Sequence, residues 1–198
     1  MDESYQWSLF LQSDKQAFSE IFLAFYDDLS RYGAKLTNDP KTVDDCIQNL
    51  FLKLWKNRRN LKPVENIKPY LFRSLRNHLI DIQELKKITL PINNDIEDLF
   101  VIEFTAEDFL ISTQVEEEKQ NMVIKLLNHL TPRQRHAIYL RYFEEMEFDT
   151  IAQILDMQVQ SVRNLISRGL NVMRDVMLIS FLFILTEEAS PLLSKIFL

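Results

Sequence analysis

The stretch "FDTIAQILDMQVQSVRNLISRGLNVMR", Phe148 to Arg174, decides the fold. From Val159 onward, apolar residues fall at Val159, Val162, Leu165, Ile166, Leu170 and Met173, the three-and-four spacing of one buried helix stripe. Gln160, Ser161, Arg163, Asn164, Ser167, Arg168, Asn171 and Arg174 fill the remaining polar positions, and no acidic residue stands between Gln158 and Arg174. Before it, "FDTIAQIL" predicts a short amphipathic helix and "DMQV" a four-residue turn. The order is helix, turn, helix.

Such a unit suits DNA for a geometric reason. The major groove admits one helix, and Arg, Asn, Gln and Ser bond phosphates or base edges without the repulsion an acid brings. Gln160, Ser161, Arg163, Asn164, Ser167 and Arg168 are therefore the candidate contacts, with Arg163, Asn164, Ser167 and Arg168 leading. Arg pairs well with guanine and Asn with adenine, although either also serves to hold a phosphate. The competing reading is an ordinary solvent-facing helix, which the missing acids disfavour.

The composition agrees with an all-helical chain. Only 2 Gly and 6 Pro in 198 residues leave little material for tight hairpins or phosphate-cradling loops. That length buries one core or two small ones. The single cysteine, Cys46, cannot form an internal disulfide, and "MDESYQWSLF" lacks the basic start and apolar run of a secretory signal. A cytoplasmic location is expected.

The net charge of −6 hides a strong pattern along the chain. Residues 1–52 carry −5, residues 53–87 carry +7, and residues 88–115 carry −6 with no basic side chain at all. A basic block followed by a wholly acidic one points to partners of opposite kind at neighbouring surfaces.

Residues 14–36 read as a helix with Phe18, Ile21, Phe22, Phe25, Tyr26, Leu29 and Tyr32 on one side. "NDPKTVDDCIQNLFLKLWKNR" opens with a capping residue and Pro40 in the first turn, then places Val43, Ile47, Leu50, Phe51, Leu54 and Trp55 at core spacing. The next helix has its stripe at Tyr70, Leu71, Leu75, Leu79 and Ile82, leaving Lys68, Arg73, Arg76, Asn77 and Lys86 outside it. These helices close one module. From Ile88 to about Thr113 the periodicity fades, yet Phe100, Phe104 and Phe109 are too many for a solvated tether, so parts of this linker should dock. A second module begins near Glu116, where "LTPRQRHAIYLRYF" has Thr131 as cap, Pro132 at the first helical position and Gln134 completing a capping box.

"LLNHLTPRQRHAIYLRYFEEMEFDTIAQILDMQVQSVRNLISRGLNVMR" resembles the promoter-binding C-terminal domain of bacterial sigma factors of the extracytoplasmic-function (ECF) group. "DDCIQNLFLKLWKNR" resembles the helix with which these factors grip the coiled-coil clamp of RNA polymerase, and "NIKPYLFRSLRNHLIDIQE" resembles the helix that reads the melted minus-10 element. The matches cover about residues 10–84 and 116–175, in the order the family has them.

The resemblance implies an all-α fold of two small domains: a region 2 module at residues 1–87, an acidic linker at 88–115, a region 4 helix-turn-helix module at 116–175 and an apolar extension at 176–198. It assigns polymerase binding to Asp44, Asp45, Gln48, Asn49 and Leu52. Asn49 stands where the family commonly has Glu, which removes one charge from that contact. It assigns the loop that captures an extruded base to Arg58, Arg59, Asn60, Lys62 and Asn66, with Lys68, Tyr70, Arg73, Arg76 and Asn77 following on the helix. Tyr70 has a core position as its alternative. Cations for the backbone and aromatic faces for unstacked bases are what single-stranded DNA requires. The implied partners are core RNA polymerase and promoter DNA, with an anti-sigma regulator as a further one. Asp156 departs from the family, which often has Gly in that turn, but Asp tolerates a left-handed conformation better than most residues.

The tail "VMLISFLFIL" would span about 15 Å as a helix, about half a bilayer core, so no membrane insertion is expected. It is expected to extend the recognition helix and pack on the protein, ahead of self-association or docking of a regulator. Neither an enzyme nor a metal or cofactor site is expected, because His78, His129 and His136 lack ligand spacing and no nucleophile motif occurs. Two other readings compete with the sigma factor: a stand-alone helix-turn-helix regulator that binds duplex DNA as a dimer through its tail, and a helical interaction protein with no DNA role.

Overall fold

The computed structural model describes residues 3–64, 66–87, 102–108 and 114–196, and the side chains of all of these except 85–87, 107, 114–119 and 179–196. Among the described residues there are eight α-helices and no strand: α1 (Glu3–Leu11), α2 (Lys15–Leu36), α3 (Pro40–Asn57), α4 (Ile67–Lys87), α5 (Gln114–Asn128), α6 (Pro132–Tyr142), α7 (Phe148–Leu155) and α8 (Val159–Ile196). The all-α expectation holds.

Local chemistry sets most of the helix starts. Asp14 and Asp39 cap α2 and α3, their side chains accepting from the backbone N–H of Ala17 and Thr42, and Pro40 opens α3 where a missing N–H costs nothing. Thr131 and Gln134 form the reciprocal capping box at α6, with Gln134 N–H donating to Thr131 Oγ1 at 3.3 Å and Thr131 N–H to Gln134 Oε1 at 3.1 Å. Asp156 ends α7 at φ 57° and ψ 47°, the left-handed conformation expected of it.

The first four helices share an aromatic core. Trp7 and Phe10 of α1 are buried, Phe10 stacks on Phe18 of α2, and Phe18 meets Trp55 of α3. Helix α1 was not expected from the sequence; its Trp7 indole N–H donates to the carbonyl of Lys62 at 3.0 Å, so it closes the module against the loop before α4. Helices α2 and α3 approach so closely at Gly33 that a Cβ there would lie 2.5 Å from Val43 Cγ1. No larger residue fits that crossing without movement.

Two stripes depart from expectation. In α8, Leu170 is 41 % exposed and Gly169 takes the inward position instead, lying against Ile138 of α6. The buried line is Val162, Ile166, Gly169, a cleaner 3.6-residue repeat than one passing through Leu170. In α4, Tyr70 lies at the surface, while Ile67, Phe72 and Ile80 join Leu71, Leu75 and Leu79 inside. Helix α4 is covered on two sides, by α2 and α3 and by α7.

Of the linker, residues 102–108 are described. Ile102 and Phe104 are buried, and the Phe104 ring lies 5.0 Å from that of Phe143. Phe104 therefore docks as expected, whereas Phe100 and Phe109 lie outside the described residues. Helix α8 runs on from the helix-turn-helix without a break to Ile196. What covers its apolar end rests on side chains outside those described. Among the described residues, no helix is long and apolar enough to cross a membrane.

Candidate nucleic-acid interface

Helix α8 presents the face that its sequence announced. Gln160, Ser161, Arg163, Asn164, Ser167 and Arg168 are all exposed, while Val162 and Ile166 anchor the opposite side. Gln160 Nε2 donates to Asn164 Oδ1 at 3.1 Å, so these two amides are oriented together. The Arg163 guanidinium sits 5.0 Å from the centre of the Phe148 ring, and Arg141 lies 4.8 Å from the same ring. The aromatic face orients Arg163 while leaving its N–H edge available, whereas Arg141 Nη1 donates to the Met146 carbonyl at 2.8 Å and to Glu147 Oε1 at 3.2 Å.

The ten residues assigned to single-stranded DNA separate into five groups. Arg59, Asn60, Lys62 and Asn66 are exposed on the loop after α3, where Asn66 Oδ1 also accepts from the N–H of Lys68. Lys68 is half-buried, 3.4 Å from Asp28 Oδ2. Tyr70 and Asn77 line a groove between α3 and α4 together with Asn57, Leu61, Ser74 and His78. The ring of Tyr70 stands edge-on to the buried Trp7 at 5.8 Å, so one side of it rests on the core while its exposed side lines the groove.

Arg58 is tied inward. Its Nε donates to Ser13 Oγ at 2.9 Å, its guanidinium lies 4.2 Å above the Trp55 ring, and it donates to the Trp55 carbonyl. It braces the α1–α2 turn, where Ser13 has φ 75°.

Arg73 and Arg76 turn toward the second module. Arg73 Nη2 pairs with Asp156 Oδ1 at 2.8 Å. Arg76 lines a small cavity with Arg133, His136 and Leu155, and its buried Nε has no hydrogen-bond partner among the described residues. Burial, aggravated by the neighbouring Arg73 and Arg133, lowers its pKa. A second groove is shared by Asn66, Tyr70 and Arg73 with Gln153 of α7. The minus-10 candidates and the helix-turn-helix are thus in direct contact.

That junction is polar as well as apolar. Arg31 of α2 donates from Nε and Nη2 to the two oxygens of Glu144 at 3.0 and 3.2 Å, and the Glu144 side chain is only 1 % exposed. Glu144 also accepts from the Tyr139 hydroxyl at 2.8 Å. Lys35 Nζ lies 2.6 Å from Asp108 Oδ1, joining α2 to the linker. The Tyr32 ring of α2 lies 5.7 Å from that of His136 of α6 across the junction and is backed within its own module by Phe72 of α4 at 4.8 Å.

The polymerase candidates lie on the outer side of α3. Asp45, Gln48 and Asn49 are exposed, and Leu52 is 66 % exposed. Asp44 differs from them: its Oδ1 accepts from the Tyr26 hydroxyl at 3.1 Å and is partly covered. Sequence reasoning passed over Leu23, which is 70 % exposed on α2. Leu23 and Leu52 each follow a member of the Phe22–Phe51 ring contact, and on antiparallel helices the residue after such a contact turns to the same side. An exposed apolar pair beside Asp45 is a stronger sign of a docking surface than the acids alone. Among the described residues, no group of His, Cys, Asp and Glu could hold a metal ion.

The family model described as Sigma-70 region 2 matches residues 21–87, and that described as Sigma-70, region 4 matches residues 120–173. The chain is 22 % identical over 150 residues to the ECF RNA polymerase sigma factor SigM of Bacillus subtilis, spanning 76 % of this chain and 88 % of SigM. It is 21 % identical over 172 residues to the ECF RNA polymerase sigma factor SigW of the same organism, spanning 82 % and 90 %. Its fold is similar to that of CnrH in complex with the cytosolic domain of CnrY, with a TM-score of 0.60 and 16 % identity over 89 % of this chain and 97 % of CnrH. It is similar also to the sigma factor RpoE from Bartonella quintana in complex with the anti-sigma factor NepR, at a TM-score of 0.55 and 20 % identity over 81 % and 96 %. With both regions in their order along more than half of its length, this chain belongs to the sigma-70 family, as a sigma factor of the ECF group that binds core RNA polymerase and directs promoter-specific transcription.

Proposed function

We propose that three surfaces of the chain divide the work of promoter-specific initiation. The exposed face of α8, led by Arg163, Asn164, Ser167 and Arg168, enters the major groove of a minus-35 element. Arg59, Asn60, Lys62, Asn66, Lys68, Tyr70, Arg73, Arg76 and Asn77 hold the melted minus-10 strand, with the cations on phosphates and Tyr70 offered to an unstacked base. Asp45, Gln48, Asn49 and Leu52, with Leu23 added and Asp44 positioned by Tyr26, grip the polymerase clamp. The observation that carries this reading is the face of α8: six exposed polar side chains and no acid, within a chain of net charge −6.

The domain limits follow the same reading, with region 2 at residues 1–87, the linker at 88–115, region 4 at 116–175 and the extension beyond. The chain works in the cytoplasm and carries no active site of its own. CnrH is bound to the cytosolic domain of CnrY and RpoE to NepR, and an anti-sigma protein is the regulator we assign here too.

Purified core RNA polymerase supplied with this chain should initiate at a defined set of promoters, read by sequencing the 5′ ends of the transcripts. Binding of one operator by the chain alone, with no change in polymerase initiation, would instead favour a stand-alone regulator.

A further inference from the structure

Helix α1 and the turn after it touch the loop between α3 and α4 at its beginning, its middle and its end. At the beginning, Ser13 Oγ accepts from Arg58 Nε at 2.9 Å. In the middle, the Trp7 indole N–H donates to the Lys62 carbonyl at 3.0 Å. At the end, Glu3 Oε2 accepts at 3.3 Å from the N–H of Ile67, the first residue of α4. Glu3 and Trp7 stand four residues apart on one face of α1, so a single rigid element makes the last two contacts. Helix α1 lies before the residues that match region 2, and none of the surfaces assigned above includes it.

The loop gains from such support. Its Leu61 N–H reaches the Arg58 carbonyl at 3.4 Å, long for a hydrogen bond, and its apolar anchors Leu61 and Val64 are only partly buried. A loose backbone and its long side chains lose freedom when they grip a strand, and a frame set beforehand removes part of that cost. Helix α1 supplies the frame from within. The Lys62 carbonyl turns in to Trp7 while the Lys62 side chain stays exposed, as do those of Arg59, Asn60 and Asn66. The Tyr70 ring stands edge-on to Trp7 at 5.8 Å, so one indole supports both the loop and the aromatic surface offered to an unstacked base. Glu3 and Asn66 divide the first two N–H groups of α4, those of Ile67 and Lys68, which fixes where the loop ends and the helix begins.

We propose that α1 is a positioning element for the minus-10 strand, with Trp7 and Glu3 holding the loop before α4 and the Tyr70 ring in the shape that captures an unstacked base. Trp7 is 1 % exposed and acts through Lys62 and Tyr70, not by touching DNA. The inference rests on the assignment of this loop and Tyr70 to single-stranded DNA made above.

The test uses holoenzyme assembled from core RNA polymerase and the full chain. Trp7→Phe keeps an aromatic ring and removes the N–H donor, and Glu3→Ala removes the acceptor at a half-buried position. The probe is a labelled fork of duplex minus-35 and single-stranded minus-10 sequence, taken from a promoter found by sequencing 5′ ends. Both variants should bind it about 10-fold more weakly, the factor expected when side chains such as Arg59 and Lys62 are ordered on binding rather than beforehand. Affinity for core enzyme should stay unchanged, and hydrogen exchange in the free chain should quicken over the loop and at the Ile67 amide. Glu3→Gln, whose amide oxygen still accepts from Ile67, should behave as the parent. Unchanged exchange in both variants overturns the bracing. Fork and core binding that fall by the same factor make α1 a structural element alone and overturn the positioning role. Quickened exchange with unaltered fork binding, while Arg59→Ala or Tyr70→Ala weakens it, overturns the proposal and leaves the minus-10 assignment standing. Indifference of fork binding to Arg59→Ala and Tyr70→Ala alike overturns the assignment and the proposal with it.

Discussion

The hydroxyl of Tyr32 lies 2.8 Å from Nε2 of His136, with both side chains fully enclosed between region 2 and region 4. Burial pushes the Tyr32 hydroxyl above its ordinary range and, aided by the Arg76 charge, pushes the His136 imidazole down to about 3. The hydroxyl is therefore the donor and the neutral imidazole the acceptor. A helix of region 2 and a helix of region 4 are joined by a hydrogen bond that exists only while His136 carries no second proton.

Acid should loosen this junction. With the modules apart, His136 faces water and regains a pKa near 6.5, so below that pH the separated form takes up a proton that the closed form refuses. Closed-form stability is intact above about pH 6.5 and falls by about 1.4 kcal/mol for each further unit of acidification. Near pH 5.5 the population of separated chains should rise about 10-fold. Scattering or interdomain energy transfer between pH 7.5 and 5.5 reads this out, and His136→Gln should flatten the response. A response that survives in His136→Gln assigns the titration elsewhere, His78 being the other imidazole that burial perturbs.

Arg163→Ala should lower promoter use while leaving polymerase affinity intact, and Asp45→Ala should do the reverse. Losing one bidentate base contact costs about 1–3 kcal/mol, or about 10-fold to 100-fold in promoter discrimination. An exposed interfacial carboxylate is worth less, so polymerase affinity in Asp45→Ala should fall only a few-fold. Promoter-length duplex binding by holoenzyme and a pull-down of core enzyme separate the two losses. Equal effects of both changes in both assays would remove the division of labour.

The features read correctly from sequence are those fixed within one turn of chain. Thr131 with Gln134, Asp39 with Pro40, and the left-handed Asp156 depend on neighbours a few residues away, so residue type and spacing suffice. Leu170 and Gly169 show where that logic stops: periodicity favours the larger apolar residue, but close approach to Ile138 demands the smaller one. Helix α1 lacks a clean polar face, and its anchor is the Lys62 carbonyl, 55 residues on. The partners of Arg31 and Arg73 lie in the other module, 113 residues from Arg31 for Glu144. Nothing in "FEEMEF" distinguishes the buried Glu144 from its exposed neighbour Glu145. The exposure of the polar face of α8 was legible, but the contact of α4 with the turn before α8 was not.

Gly33→Ala should destabilise the chain even though alanine is the better helix former by about 1 kcal/mol. The new Cβ would come within 2.5 Å of Val43 Cγ1 and 3.2 Å of Cγ2, on a side chain that is buried and restricted at χ1. Forced separation of α2 and α3 costs about 1–3 kcal/mol, which outweighs the propensity gain. Val43→Ala alone leaves a cavity and also destabilises. The double substitution fills one defect with the other, so its cost in denaturant unfolding should fall clearly below the sum of the two.

Arg58 and Arg59 are adjacent cations with opposite expected behaviour. Arg58 holds Ser13 and the Trp55 carbonyl and stacks on the Trp55 ring, so Arg58→Ala removes charge-assisted hydrogen bonds and a cation–π contact together. A loss of about 1–3 kcal/mol follows, and at about 2–4 °C per kcal/mol for a chain of this size the melting temperature should drop visibly. Arg59 is exposed, so Arg59→Ala should leave stability within about 0.5 kcal/mol of the parent. Its effect should appear instead as weaker binding of single-stranded DNA and a shallower salt dependence, by about 0.7 in the logarithmic slope for one lost phosphate contact. Thermal melting and DNA titrations at several salt concentrations, run on both variants, test the pair. A stable Arg58→Ala with the larger DNA defect would return Arg58 to the base-capturing loop, and an unchanged slope for Arg59→Ala would remove Arg59 from it.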